Sequence, residues 1–289
     1  MLKAERFIGP YLYVGYHCNN DCIFCSEHDD YLRMNEYKPI SLLKNEILLI
    51  RKKYDFINIM GREPTLRKDI LEILDFARNL DFKQVGITSN GRLFSYPLFT
   101  KRVLDKGVNQ IAVSISGAKS QTHDRQTKVK GSFEQTISGI KNIIQMSSDD
   151  ISLLVNFTLN KLNMNELKET LTLLNSIGVK EINILNIAPL SSRSNNKLLI
   201  AKMSQAGKHL KDVLKNAETE YPETKILLVE FLPCALPPEL REYFSPCLEK
   251  NPRKVRIPIC DGCPYSDSCD GVLEDYIHLY GVDEFKSLK

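Results

Sequence analysis

The chain has little net charge and no long apolar run, and both absences exclude classes of protein. Its 39 lysine and arginine residues nearly balance its 36 aspartate and glutamate residues, which leaves a formal charge of +3. Such a small excess does not indicate a nucleic-acid partner. No apolar segment approaches the roughly 20 residues of a membrane-spanning helix, and Met1–Pro10 lacks the apolar stretch of a signal peptide. We therefore expect a cytoplasmic protein with neither a membrane nor nucleic acid as partner.

The middle of the chain also lacks cysteine. Three of the eight cysteines are Cys18, Cys22 and Cys25, and no other cysteine occurs before Cys234. The last five cluster near the end of the chain, as Cys234, Cys247, Cys260, Cys263 and Cys269. In a reducing compartment, clustered thiols more often bind metal than form disulfides. The distribution therefore predicts one metal site towards each end of the sequence.

Short β-branched runs alternate with amphipathic segments between the two cysteine clusters, as in repeated βα units. The predicted strands are Tyr11–Tyr16, Phe56–Met60, Gln84–Thr88, Gln110–Ile115, Ser152–Leu159 and Glu181–Ile187. The predicted helices are Leu42–Lys53 with Ser41 as its N-cap, Ile70–Leu80, Leu98–Lys106, Ser132–Gln145 and Asn165–Ile177. A further helix, Leu198–Ala217, and a strand, Lys225–Glu230, are expected beyond these repeats.

Six strands are fewer than the eight that close a TIM barrel, so the pattern predicts an α/β fold with a partial (β/α)6 TIM-like barrel. A small Cys-rich extension follows it. We expect the barrel over residues 1–190, a linker helix and strand over 191–233, and the Cys-rich region over 234–289. Functional residues of such a barrel are expected in the loops that follow the strands.

The first cysteine cluster follows the first predicted strand directly. Three thiolates in so short a span can bind three irons of a [4Fe-4S] cluster and leave the fourth iron open to a substrate or cofactor. The alternative is a zinc site, for which His17 or His28 supplies the fourth ligand.

This triplet, with the aromatic Phe24 before its last cysteine, resembles the signature of the radical S-adenosylmethionine (radical SAM) superfamily. Gly61–Thr65 is similar to the Gly-Gly-Glu-Pro segment of that family, although Arg62 stands in place of its second glycine. Thr88–Gly91 resembles the Thr-Asn-Gly turn of the family, and the run Ser114–Gly117 at the end of the fourth strand is also familiar from it.

The resemblance implies a [4Fe-4S] cluster with one open iron and bound S-adenosylmethionine (SAM). Reductive cleavage of SAM then gives a 5′-deoxyadenosyl radical, which abstracts hydrogen from a substrate. By the same resemblance, Glu63 holds the amino group of SAM, and Ser114 or Ser116 bonds its ribose or carboxylate. The implied cofactor-binding residues are Phe24, Gly61, Arg62, Glu63, Pro64, Ser89, Asn90, Ser114, Ser116 and Asn156.

Several polar residues interrupt the apolar runs of the fifth and sixth strands, namely Asn156, Thr158, Asn183 and Asn186. Buried polar groups need hydrogen-bond partners. SAM or substrate can supply them, and so can the neighbouring strands.

The second cysteine cluster resembles part of the SPASM and twitch extensions of radical SAM enzymes, which bind auxiliary iron–sulfur clusters. Five cysteines suffice for one four-thiolate cluster and are too few for two. The expected ligands of this second [4Fe-4S] cluster are Cys247, Cys260, Cys263 and Cys269, with Cys234 competing for one place. Zinc is the alternative, because four cysteines also stabilise small zinc domains.

The resulting hypothesis is a radical SAM enzyme acting on a peptide or protein side chain. The alternative substrate is a small molecule in cofactor, lipid or natural-product biosynthesis. A reductase, or a flavodoxin or ferredoxin, is expected as the electron donor. The substrate rests on analogy between folds, and the sequence identifies no catalytic side chain.

Overall fold

A computed structural model of the chain describes residues 10–26, 37–194, 196–246 and 251–289. The strands are β1 Tyr11–Tyr13, β2 Phe56–Met60, β3 Gln84–Ser89, β4 Gln110–Ile115, β5 Ser152–Leu159, β6 Glu181–Asn186, β7 Lys225–Val229, β8 Lys254–Val255 and β9 Val272–Leu273. The helices are α1 Ile40–Arg51, α2 Ile70–Arg78, α3 Pro97–Asp105, α4 Ser120–Thr127, α5 Ser132–Met146, α6 Leu167–Ser176, α7 Met203–Leu214, α8 Ala217–Glu220 and α9 Glu274–Tyr280. Short 3-10 turns cover Pro64–Leu66, Arg92–Ser95, Met164–Glu166, Pro238–Tyr243 and Pro258–Cys260.

Seven strands form one sheet in the order β1-β2-β3-β4-β5-β6-β7. The pairs β1–β2, β2–β3, β3–β4 and β6–β7 are parallel. This topology confirms the α/β class and is consistent with a partial TIM-like barrel. The strand predicted over Lys225–Glu230, beyond the six repeats, is β7, and it pairs with β6 from Glu181 to Leu185 and so extends the sheet. The domain boundaries at residues 190 and 233 stay a prediction.

Several predicted elements differ from the observed ones at their ends. The first helix begins at Ile40, and Pro39 precedes it without a side-chain cap, so Ser41 lies inside the helix and is not its N-cap. The helix expected over Leu198–Ala217 is shortened to Met203–Leu214. Helix α4, Ser120–Thr127, was not expected, because its sequence is almost wholly polar and shows no apolar face.

The described residues divide into two compact units. The first contains residues 10–21, 37–114 and 129–154, and its helix α1 buries Leu43 and Ile47. Helix α2 buries Ile73 and Leu74 in the same unit. Such alternation of apolar strands with amphipathic helices is what brings the loops after the strands to one end of a parallel sheet.

The second unit contains residues 22–26, 115–128, 155–194, 196–246 and 251–289. One apolar cluster in it joins α7 to the Cys-rich tail and includes Met203, Leu232, Tyr276 and Phe285. Tyr276 is fully buried, and its hydroxyl accepts from the backbone N of Met203 at 2.8 Å and donates to Glu284 at 2.5 Å. No helix among the described residues has the length and apolar character that a membrane span requires.

Candidate functional site

A buried carboxylate lies directly after β2, in the first unit. Glu63 is 2% exposed and precedes the 3-10 turn Pro64–Leu66. Its Oε1 accepts from the backbone N of Thr65 at 3.1 Å and from the hydroxyl of Ser89 at 2.9 Å, and its Oε2 accepts from the backbone N of Asn90 at 2.7 Å. Burial raises the pKa of Glu63, and these hydrogen bonds oppose the rise without cancelling it. The site therefore favours a cationic ligand, which would stabilise the ionised carboxylate.

The turn after β3 contacts the first cysteine of the triplet as well as Glu63. The side-chain N of Asn90 donates to Asn19 Oδ1 at 2.6 Å and lies 3.8 Å from Cys18 Sγ. The backbone N of Asn20 donates to the same sulfur at 3.3 Å. Hydrogen-bond donors around a cysteine sulfur suit a thiolate ligand of an iron–sulfur cluster and tune its potential. The surroundings of Cys18 thus fit the cluster that the sequence predicts.

The segment between β2 and Glu63 approaches β1 closely. A Cβ placed on Gly61 would lie 2.6 Å from the carbonyl oxygen of Gly15, so this position has room only for glycine. The backbone N of Arg62 donates to that oxygen at 3.3 Å, and its Nη1 donates to the carbonyl of Tyr16 at 3.1 Å. Within the described part of the chain, the buried Nε of Arg62 has no hydrogen-bond partner. Arg62 therefore brings a positive charge to the segment that leads into Cys18.

The other two cysteines of the triplet belong to the second unit. The backbone N of Cys25 donates to the carbonyl of Cys22 at 3.3 Å, which closes a tight turn. The backbone N of Ile23 donates to the carbonyl of Gln126 at 2.9 Å, and Ser191 Oγ donates to the carbonyl of Cys25 at 2.5 Å. Phe24 packs against the apolar cluster around Tyr276. This turn is therefore anchored through its backbone and its aromatic side chain.

Of the histidines proposed as zinc ligands, His17 stacks its ring on Tyr37, with 4.4 Å between the ring centroids. His28 lies outside the described residues. No described group of three or more histidine, cysteine, aspartate or glutamate side chains is arranged to hold a metal ion.

The end of β4 is held by polar contacts in the second unit. Ser116 is 3% exposed, and its backbone N donates to His123 Nδ1 at 3.1 Å. Its carbonyl accepts from Gln126 Nε2 at 2.7 Å and from Asn163 Nδ2 at 3.1 Å. The backbone of Ser116 is therefore fixed, whereas Ser114, two residues earlier in β4, is partly exposed.

Asn156 and Asn183 face each other across the neighbouring strands β5 and β6. Asn183 Nδ2 donates to Asn156 Oδ1 at 3.2 Å. The Oδ1 atom of Asn183 is buried and finds no hydrogen-bond partner among the described residues. The neighbouring strand therefore supplies a partner for one group of each side chain, and binding of SAM or substrate by these residues stays a prediction.

Four of the five tail cysteines lie close enough for their charges to interact. Burial raises the pKa of the Cys234 thiol to about 12, and electrostatic interaction with Cys269, Cys260 and Cys263 adds to the rise. The fifth cysteine, Cys247, lies outside the described residues. Cys260, Cys263 and Cys269 are thus within electrostatic range of Cys234, but the described cysteines are not arranged as a set of metal ligands.

An ion-pair network that the sequence did not suggest lies beside Cys269. Lys254 Nζ is 2.9 Å from Glu230 and 2.9 Å from Asp270, and both the Lys254 and Asp270 side chains are almost fully buried. Burial disfavours the charge on Lys254, but the two carboxylates outweigh burial and hold its pKa above the ordinary range. This network fastens the β8–β9 hairpin next to a predicted metal ligand.

Sequence reasoning also missed Asn19, Asn20 and Arg92, which join the first cysteine loop to the turn after β3. Arg92 Nη1 donates to Asn20 Oδ1 at 2.9 Å and to the carbonyl of Asn19. The available signal was the position of Arg92 immediately after the Thr88–Gly91 motif. Its partners are more than 70 residues away in sequence, and spacing alone does not identify them.

Comparison with known proteins identifies the family. The family model described as "Radical SAM superfamily" matches residues 12–174. A protein of Saccharolobus islandicus named "Probable GTP 3',8-cyclase" is 30% identical over 181 residues, which are 60% of this chain and 54% of that protein. An "AdoMet-dependent heme synthase" of Methanosarcina barkeri is 28% identical over 195 residues, or 65% of this chain and 52% of that protein. The chain spans about half the length of these curated relatives.

A solved structure shares the fold. Streptococcus suis SuiB bound to precursor peptide SuiA superimposes with a TM-score of 0.63 at 17% identity, over 80% of this chain and 50% of that one. The Cys-rich C-terminal segment fits an auxiliary cluster extension of the kind predicted. Since the family model covers more than half of the residues, the chain belongs to the radical SAM superfamily and is an enzyme, and its fold implies a [4Fe-4S] cluster and SAM.

Proposed function

We propose that the chain cleaves SAM reductively at a [4Fe-4S] cluster held by Cys18, Cys22 and Cys25, and abstracts hydrogen from a substrate. The observation that carries this proposal is the Ser89–Asn90 turn. It hydrogen-bonds the buried carboxylate of Glu63, and the side chain of Asn90 also reaches Cys18. One turn thus links a site for an ammonium group with a site for an iron ligand. When bound, the cluster and SAM supply the radical chemistry, and the protein positions and shields the reacting groups.

Glu63 is the residue that receives the amino group of SAM. Its carboxylate is buried, and the hydrogen-bond donors that reach it from the described residues are neutral groups. A buried carboxylate without a positive partner is costly, and an ammonium group both neutralises it and donates further hydrogen bonds. The neutral donors meanwhile keep the carboxylate oriented before the ligand arrives.

The remaining cofactor contacts are assigned to groups around this carboxylate and along the strands. The backbone of Ser116 is already hydrogen-bonded, so its hydroxyl is the group that we assign to the ribose or carboxylate of SAM, together with Ser114. Asn156 holds Asn183, whose buried oxygen can accept a ligand donor. Phe24, Gly61, Arg62 and Pro64 shape the segments that carry Cys25 and Glu63.

The proposed substrate is a peptide or protein side chain. Two features support it: the Cys-rich tail, which resembles auxiliary cluster extensions, and a fold shared with SuiB, whose structure contains a precursor peptide. A flavodoxin, a ferredoxin or a reductase is the proposed electron donor. The tail is proposed to hold one auxiliary [4Fe-4S] cluster, because its cysteine spacing resembles such extensions and because Cys260, Cys263 and Cys269 lie within electrostatic range of Cys234.

A small-molecule substrate is the second candidate, and the sequence relatives favour it. They are named for a GTP cyclase and a heme synthase, and they match at higher identity than the peptide-binding structure does. The two candidates are distinguished by which compound, a peptide or a guanine nucleotide, accelerates 5′-deoxyadenosine formation above the substrate-free rate.

The triplet assignment is tested by replacing Cys18, Cys22 and Cys25 together by alanine. We expect anaerobically reconstituted wild-type protein with a low-potential reductant to form 5′-deoxyadenosine and methionine from SAM. The triple variant should form neither, because no thiolate remains to hold the cluster, while the tail keeps its metal. Chromatography measures the two products, and iron analysis measures the metal that the variant retains. Formation of 5′-deoxyadenosine by the triple variant would show that the site lies elsewhere.

A further inference from the structure

Arg92 ties the segment after Cys18 to the body of the first unit. This side chain is partly buried and lies in the 3-10 turn Arg92–Ser95. Its Nη1 donates to the carbonyl of Asn19 and, at 2.9 Å, to the side chain of Asn20. Its Nε donates to Gln135 Oε1 at 2.6 Å. One guanidinium group therefore bridges the first cysteine loop and helix α5.

The residues that Arg92 holds are the ones that surround Cys18. The backbone N of Asn20 is a donor to Cys18 Sγ, at 3.3 Å. The side chain of Asn90 binds Asn19 at 2.6 Å from the opposite end of the same turn. The side chains of Asn90 and Arg92 thus hydrogen-bond to the consecutive loop residues Asn19 and Asn20. The backbone N of Asn20 also donates to the sulfur of Cys18.

Helix α5 fixes the turn that carries both side chains. Thr136 Oγ1 donates to the carbonyl of Asn90 at 2.9 Å, one residue after Gln135. Gly139, one turn further along α5, lets the helix approach, because a Cβ at that position would lie 2.2 Å from the carbonyl oxygen of Gly91. The orientation of Arg92 is therefore set from the helix side as well as from the loop side.

We infer that Arg92 is a positioning residue of the cluster site, which holds the Cys18 loop in its ligating conformation and places a fixed positive charge beside it. This inference rests on the proposed function. A guanidinium group suits both tasks, since it stays charged and its planar donors can reach a carbonyl, an amide oxygen and Gln135 together. The loop conformation should persist without metal, and the charge should favour the reduced, more negative cluster.

The first test uses metal-free protein and does not depend on activity. Hydrogen exchange is followed in a peptide covering residues 18–21 for wild type, Arg92→Lys, Arg92→Met and Arg102→Met. Arg102 is an exposed arginine of α3 in the same unit and serves as the matched control. We expect exchange about ten-fold faster in both Arg92 variants, the factor that corresponds to about 1.4 kcal/mol, and no change in the control. Unchanged exchange in both Arg92 variants would refute the positioning role.

The second test uses reconstituted protein and measures the midpoint potential of the triplet cluster. Arg92→Met should shift the potential to a more negative value. Arg92→Lys keeps the positive charge, so its potential should lie closer to that of wild type than the potential of Arg92→Met does. A potential in Arg92→Met equal to that of Arg102→Met would refute the electrostatic role. Wild-type protein that binds no cluster at the triplet would instead refute the proposed function, so the two failures are distinct.

Discussion

At the scale of single residues, the environment of Glu63 explains how a carboxylate can be both buried and ready for a ligand. Two backbone amides and two hydroxyls donate to its oxygens, which limits the cost of removing its charge from water. They do not cancel that cost, because burial still raises the pKa of Glu63 above its ordinary range. The remaining imbalance is what a cationic ligand would relieve.

We predict that Glu63→Gln weakens SAM binding by about 1.5–3 kcal/mol, the scale of a lost hydrogen bond to a charged group. Wild-type affinity should fall as the pH drops through the raised pKa of Glu63, because the protonated carboxyl no longer attracts an ammonium group. The SAM affinity of Glu63→Gln should not show this pH-dependent fall, because the amide does not ionise. Equilibrium binding across pH measures both, with Glu134→Gln as the control, since Glu134 is an exposed carboxylate of the same unit. Equal SAM affinity of wild type and Glu63→Gln would mean that Glu63 has only a structural role.

At the scale of elements, the contact between α5 and the turn after β3 is the tightest feature near the site. The turn begins at Gly91, whose φ is +81°, in the left-handed region that favours glycine. Gly139 gives α5 the space to pack on that turn, beside Phe94. Because the segment from the end of β3 into this turn carries Ser89, Asn90 and Arg92 of the candidate site, the packing of this helix bears on function as well as on stability.

We predict that Gly139→Ala destabilises the protein by up to about 2 kcal/mol. Alanine is favoured over glycine inside a helix by roughly 1 kcal/mol, but here its methyl group would lie 2.2 Å from the backbone oxygen of Gly91, and overpacking costs about 1–3 kcal/mol. Denaturant unfolding of the SAM-free protein measures the change. Lys141→Ala, at an exposed position of the same helix, should be nearly neutral. A more stable Gly139→Ala variant would mean that the close approach is not maintained in solution.

At the scale of the whole molecule, the chain combines a radical SAM domain with a Cys-rich tail. The tail is fastened to its own unit by the apolar cluster around Tyr276 and by the buried contacts of Lys254 with Glu230 and Asp270. Cys234 and Cys269 also pack against this apolar cluster, whereas the ion pairs of Lys254 are made by carboxylates alone. Because apolar packing and ion pairs contribute to holding the tail, a role of the proposed tail metal beyond structure can be tested by removing its ligands.

We predict that Cys260→Ala combined with Cys263→Ala spares substrate-free SAM cleavage and stops product formation, because the proposed tail metal would act on the substrate rather than on SAM. Circular dichroism and melting curves, together with iron and zinc content, measure the state of the variant. The control is Asp261→Ala combined with Asp267→Ala, two exposed positions of the same segment. Normal product formation by a folded cysteine variant would contradict a catalytic role, and loss of the fold would favour a structural metal.

The sequence by itself determined the α/β class, the family and most strands of the sheet. Apolar periodicity and motif spacing are local properties, and β2, β4 and β5 were predicted at their observed bounds for that reason. Helix ends were less accurate, as at Ser41, because no side-chain cap marks the start of α1. Helix α4 was missed because its sequence is almost wholly polar.

Only the tertiary structure decided that β7 joins the sheet, that Arg92 holds the residues after Cys18, and that Lys254 lies between two carboxylates. Each of these contacts joins residues far apart in the sequence. Their formation depends on which segments the folded core brings together, and a hydrogen bond or ion pair leaves no periodic signal in the chain. Motif spacing and the family resemblance singled out Cys18 and Glu63 as candidates, whereas the neighbours that surround each of them are brought together only by the fold.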